Sequence, residues 1–107
     1  MPDAPADNCL VIVGQLAGDC ETRITPAGVP ISRFLLEHHS EQREAGQPRQ
    51  ANCRISVMAC GEPLTSLARR LAPGAWVRAR GFVSHASYRD SAHRLVLHAT
   101  ALDLLFI

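Results

Sequence analysis

Between residues 10 and 18 apolar side chains fall on every second position: Leu10, Ile12 and Leu16 share one face, and Gly14 between them permits a bend. The same period returns over residues 31–39, where Phe34, Leu36 and His38 alternate with Arg33, Leu35, Glu37 and His39. It returns again over residues 51–60, where Cys53, Ile55, Val57 and Ala59 alternate with Asn52, Arg54, Ser56 and Met58. In both stretches the first set is expected to face a core. Residues 76–84 predict a fourth strand, with Val77 and Ala79 inward and a flexible Gly81. Residues 94–105 predict a fifth, for which two phases are open: Val96 and His98 inward, or Leu95 and Leu97 inward. Between the third and fourth strands the period changes. Leu64, Leu67, Ala68 and Leu71 recur at helical spacing, opened by Pro63 and closed by Pro73-Gly74, which predicts one short amphipathic helix.

An all-β chain with a single short helix between strands three and four has the element order of a five-stranded OB-fold Greek-key barrel. An SH3-like barrel lacks that helix. The expected domain spans residues 8–107, preceded by a flexible N-terminal segment, residues 1–7. Two polar stretches, residues 41–50 and 85–93, are expected as loops between strands. Barrels of this kind reach oligonucleotides from those positions.

A length of 107 residues leaves room for one domain. With 47% hydrophobic and 20% charged residues the chain falls in the ordinary globular range, which excludes disorder as the whole answer. The longest apolar runs, Leu10 to Val13 and Leu104 to Ile107, are far short of the roughly 20 residues that a membrane-spanning helix needs. Acidic residues Asp3 and Asp7 stand where a secretory signal carries positive charge, so a cytoplasmic location is expected. The net charge of +1 hides an asymmetry. Residues 1–20 hold three aspartates and no base, whereas residues 51–100 hold seven arginines against Glu62 and Asp90. All eleven bases are arginine, whose planar fork binds phosphate bidentately and stacks on bases.

Cys9, Cys20, Cys53 and Cys60 form no C-x-x-C pair, and their spacing matches no zinc ribbon or finger. They read as small buried hydrophobes. No metal site, cofactor or nucleophile motif emerges, and an enzyme is not expected. His38 and His98, which alternate with core residues, read as satisfied core or subunit-seam histidines. The Arg69-Arg70 pair on the helix reads as a solvated face.

Several blocks then carry a specific resemblance. Val11-Ile12-Val13-Gly14-Gln15-Leu16, followed by Glu21-Thr22-Arg23-Ile24-Thr25-Pro26-Ala27-Gly28, is similar to the opening of the bacterial single-stranded DNA-binding superfamily. Phe34-Leu35-Leu36-Glu37-His38-His39-Ser40, Glu44-Ala45-Gly46, Arg49-Gln50-Ala51-Asn52-Cys53, Gly81-Phe82-Val83-Ser84 and Leu95-Val96-Leu97-His98-Ala99 resemble the corresponding blocks of the primosomal replication protein N (PriB) family. The resemblance covers about residues 8–106. It implies a homodimer without catalytic activity that binds single-stranded DNA and helps to reload the replicative helicase at stalled forks, through contacts with the helicase PriA and the loader protein DnaT.

Carried over by position, the family's DNA contacts fall on Arg23, Arg49, Arg89 and Arg94, with His39 where the best-known members carry arginine. Arg54, on the outward set of strand three, and His93, beside Arg94, complete the cationic candidates. Two family positions that supply stacking rings hold Gln47 and Asn52, and one that supplies a lysine holds Ser87. Tyr88, in the second polar stretch beside Arg89, is expected to compensate partly as a stacking ring, the other reading being a loop tyrosine packed on the barrel rim. Trp76, Arg78 and Arg80 form one outward stripe on strand four, which reads equally as a DNA contact, a subunit seal or a solvated face. Two further assignments compete with the primosomal one. A general single-stranded DNA-binding protein continues beyond its barrel into a Gly- or Pro-rich tail, whereas this sequence closes on Leu104-Leu105-Phe106-Ile107. An OB-fold protein-interaction module with residual DNA binding fits the loss of two rings.

Overall fold

Six strands, not five, and one helix follow one another in the computed structural model, which describes residues 6–87, 89 and 94–105. They are β1 (Leu10–Leu16), β2 (Glu21–Ile24), β3 (Pro30–Glu44), β4 (Gln47–Cys60), α1 (Leu64–Arg69), β5 (Trp76–His85) and β6 (Leu95–Leu105). Neighbours run β1-β5-β6-β4-β3, and a pairing of β1 with β3 closes the five into a barrel. The strands that the alternation predicts are the five of the barrel. The additional β2 lies along the outer edge of β3, returned there by a turn in which Gly28 takes a φ of 85° and donates its N–H to the Thr25 carbonyl at 2.8 Å. Its four residues, exposed on three of four positions, carry no buried face for alternation to mark.

Burial follows the predicted period along most of the chain. Leu16, Phe34, Leu36, Val57, Ala59, Val77, Ala79 and Leu97 are almost wholly removed from water, each large one contributing roughly 1.5–3 kcal/mol. In the last strand neither expected phase holds as a set: Val96 and Leu97 are both buried, Leu97 pairing with Val57 and Val83, while Leu95 is exposed and His98 half-buried. The helix is shorter than its apolar spacing predicts, ending at Arg69, with Leu71 buried just beyond it. It packs against β3, β4 and β6, with Ala68 fully buried and Leu64 and Leu67 against the core.

Three sequence expectations are corrected. Residues 41–50 are not a loop: β3 and β4 stay in register from Ile31↔Cys60 out to Glu44↔Gln47, and a two-residue turn at Ala45-Gly46 joins them. Both faces of this arm are exposed, so no apolar alternation marks it. Cys53 does not face the core. It pairs with His38 at the base of the arm and is exposed. Cys9 and Cys60 are exposed as well, and Cys20 is half-buried, so the cysteines are not buried hydrophobes.

The turn takes positive φ at both residues, 53° at Ala45 and 76° at Gly46, which suits Asn-Gly better than Ala-Gly because asparagine tolerates that region. Ala45→Asn is expected to stabilise the arm by about 0.5–1 kcal/mol. Slower amide hydrogen exchange over residues 40–51 checks this, and unchanged rates would contradict the turn geometry.

Candidate nucleic-acid interface

Register decides which of the candidate residues meet. On the outward face of the β3–β4 ribbon Glu37 pairs with Arg54 and His39 with Asn52. The side chains follow suit. One Glu37 oxygen accepts from His39 Nε2 at 2.9 Å, the other faces Arg54 Nη2 at 3.4 Å, and His39 Nδ1 lies 2.9 Å from Asn52 Oδ1. Two acceptors flank one ring. A neutral imidazole has a single N–H, so only the imidazolium satisfies both. The Asn52 bond, then the Glu37 bond, accordingly holds the His39 pKa above the ordinary value of 6.5.

Arg23 lies on the same outward side at the far end of the sheet: its register partner on β3 is Ile31, and with Arg33 it lines a shallow cleft over Ile24 and Ile31. Arg49 does not join this face. It pairs with Gln42 on the opposite side of the arm and approaches Glu44 at 3.3 Å. Arg89 and Arg94 stand exposed at the second polar stretch, where Ala86 donates to the Arg94 carbonyl at 2.9 Å and the Arg89 N–H to Ser87 Oγ at 3.2 Å. Tyr88 and His93 lie outside the described residues.

Sequence position therefore names a set of cations that the fold divides and partly neutralises. Gln47 sits at the tip of the arm and Asn52 on its outward face, so both positions from which rings would project are exposed. His38 is satisfied as expected: Nδ1 donates to the Val13 carbonyl at 2.6 Å and Nε2 lies 2.6 Å from Ser40 Oγ. His98 is half-buried on the outer surface, stacked on Phe82 and 2.6 Å from Ser84 Oγ. Phe82 is a functional candidate that the periodic pattern contained without flagging: it shares the outward phase of Arg78 and Arg80. Among the described residues no cluster of His, Cys, Asp or Glu is arranged to hold a metal ion.

Because Glu37 holds both His39 and Arg54, Glu37→Gln should free Arg54 for a phosphate ligand, while the His39 pKa falls back toward 6.5. Exposed pairs are weak, so single-stranded DNA affinity should rise no more than several-fold, with a steeper salt dependence. The wild-type affinity should also strengthen as pH falls through the raised His39 pKa, above 6.5, because the protonated ring adds a positive charge. His39→Gln should remove that component. Fluorescence anisotropy between pH 8 and pH 6 measures both, and a pH profile identical in the two proteins would refute the assignment.

Comparison with known proteins defines the class. Residues 8–101 match the profile of a family described as "another single-strand binding protein family", and this chain belongs to it, a family of binding proteins and not of enzymes. Within that class the relatives converge on one protein. The chain is 41% identical over 98 residues to replication restart protein PriB of Photobacterium profundum, covering 92% of this chain and 94% of the relative. To the PriB of Photorhabdus laumondii it is 39% identical over 98 residues, 92% and 93% of the two chains. The structure of priB from Ralstonia solanacearum superposes with a TM-score of 0.78 at 33% identity, over 94% of this chain and all of that one. The single-stranded DNA-binding protein of Thermus aquaticus, 21% identical over 96% of this chain and 52% of its own, shares the OB barrel with a TM-score of 0.77.

Proposed function

We propose that this protein binds single-stranded DNA without sequence preference, as a non-catalytic accessory of replication restart. The observation that carries this is the match to PriB proteins across nearly the whole chain, on a closed barrel with an extended β3–β4 arm. Arg23, His39, Arg49, Arg54, Arg89 and Arg94 are its proposed phosphate contacts, and Tyr88 and His93 complete the set.

Partners follow from the same relationship. The proposed form is a two-fold homodimer, residues 8–107 making up each barrel, that works in the cytoplasm with PriA and DnaT. The fold offers a seam for the dimer. β1 is paired with β5 along Leu10–Gln15, whereas its ladder with β3 covers only Gln15 and Leu16 and His38 takes the Val13 carbonyl, so one edge of residues 10–12 has no ladder partner among the described residues. Val11, in that stretch, is exposed. An unpaired edge is a template for a second strand. Sedimentation at micromolar concentration should show dimer, and solely monomer would defeat this part.

Titration of a labelled dT oligonucleotide at two salt concentrations tests the binding itself. Affinity should fall as salt rises, since each arginine that meets a phosphate releases condensed counterion. Salt-independent binding, or none at low salt, would overturn the assignment. The ion pairs that hold Arg49 and Arg54 favour a second function in that event, an OB-fold module for protein contacts.

A further inference from the structure

Along β5 the side chains alternate between interior and solvent without interruption from Trp76 to Phe82. Val77, Ala79 and Gly81 are buried, and Trp76, Arg78, Arg80 and Phe82 are exposed. At roughly 3.3 Å per residue this outward row is about 20 Å long. It has a ring at each end and two guanidinium groups between them. Trp76 is 37% exposed and Phe82 45%. Phe82 is also held in place, since it lies flat on His98 with ring centroids 4.7 Å apart and planes 9° from parallel.

The two arginines differ from the cations of the β3–β4 face. Arg54 and His39 share Glu37, and Arg49 approaches Glu44, whereas Arg78 and Arg80 enter no ion pair among the described residues. Their cross-strand neighbours on β1 are Val13 and Val11. On β6 they are Asp103 and Ala101, and Asp103, the one carboxylate among these neighbours, forms no ion pair with Arg78. The face therefore carries two arginines among mostly apolar neighbours, with Asp103 as the carboxylate across from Arg78.

We propose that the outer face of β5 is a second track for single-stranded nucleic acid, with phosphates on Arg78 and Arg80 and bases stacked on Trp76 and Phe82. Cations that follow the backbone, bracketed by rings that accept any base, are the composition that sequence-neutral single-strand binding requires. The guanidinium fork fits a phosphate in two hydrogen bonds. Paired duplex bases are not free to stack on the rings, so the row selects a single strand. This track rests on the single-stranded DNA assignment above and adds a site to it, one that supplies the exposed rings the β3–β4 face lacks at Gln47 and Asn52.

The chain contains one tryptophan, so Trp76 is its own reporter. Unlabelled dT oligonucleotide should quench Trp76 emission with the midpoint at which a labelled oligonucleotide gains anisotropy. The double variant Arg78→Ser, Arg80→Ser, altered only at exposed positions, should bind about tenfold more weakly, and its salt slope should fall by about 2, one per phosphate contact. Phe82→Leu should keep the wild-type melting curve and weaken binding several-fold. If labelled oligonucleotide binds while Trp76 emission stays constant and the double variant keeps full affinity, the β5 track is wrong and the single-stranded DNA assignment stands. A wild-type protein that binds no oligonucleotide at low salt removes both. Quenching by an acidic Glu- and Leu-rich peptide, with no response to dT, overturns the track in favour of a protein-docking face.

Discussion

Gly81→Val should lower the melting temperature by at least about 10 °C, or leave the chain insoluble. The reason is steric and lies in how the barrel closes. Between Arg80 and Gly81 the β5–β6 ladder slips by one residue, so that Arg80 faces Ala101 and Gly81 faces Ala99, and the slack is taken up at Thr100, whose hydroxyl donates to the Arg80 carbonyl at 3.2 Å. This irregularity bends the two strands over each other. A Cβ at Gly81 would run into the carbonyl of His98 and the Cα of Ala99, all backbone atoms that no rotamer change can move aside. The φ of Gly81 is not positive, so the constraint is space and not conformation. Overpacking of this kind costs about 3 kcal/mol or more, a large share of the roughly 5–15 kcal/mol that holds a domain together. Gly81→Ala should be impaired almost as much. A calorimetric melt of Gly81→Val within 2 °C of wild type would show that the barrel does not close by this approach.

Returning rings to the β3–β4 arm should tighten single-stranded DNA binding by about 1–3 kcal/mol for each ring that stacks, so the double variant Gln47→Phe, Asn52→Trp should gain from about 30-fold to about 20,000-fold when both stack. Both positions are exposed, one at the tip of the arm and one on the outward face, so neither substitution disturbs the core. Asn52→Trp also removes one of the two acceptors at His39, so its pKa should fall back toward 6.5 and part of the pH dependence of binding should go with it. Anisotropy titration of the single and double variants measures the gain. No gain in either would mean that DNA does not pass over the arm, and binding would then rest on other surfaces of the barrel.

The five strands of the barrel, the helix between the third and fourth, and most of the core were determined by the sequence alone. Period two is imposed wherever one face of a strand is buried, and Phe34, Leu36, Val57, Val77 and Ala79 all obey it. That signal is local, and it fails where burial does not alternate. β2 and the outer half of the β3–β4 arm are wet on both faces, so their residues look like loop, and only pairing with a neighbouring strand makes them β. The site divided along the same line. Sequence position named Arg23, His39, Arg49 and Arg54 as one set of cations, and nothing in the order of residues says which carboxylate each will meet. Register does: it sets Glu37 across from Arg54, turns Arg49 to the other side of the arm, and puts Arg78 and Arg80 beside Val13 and Val11 on one strand and Asp103 and Ala101 on the other. Charge is legible from composition, but whether a charge is available to a ligand depends on cross-strand neighbours far away in the chain, and those exist only once the sheet has closed.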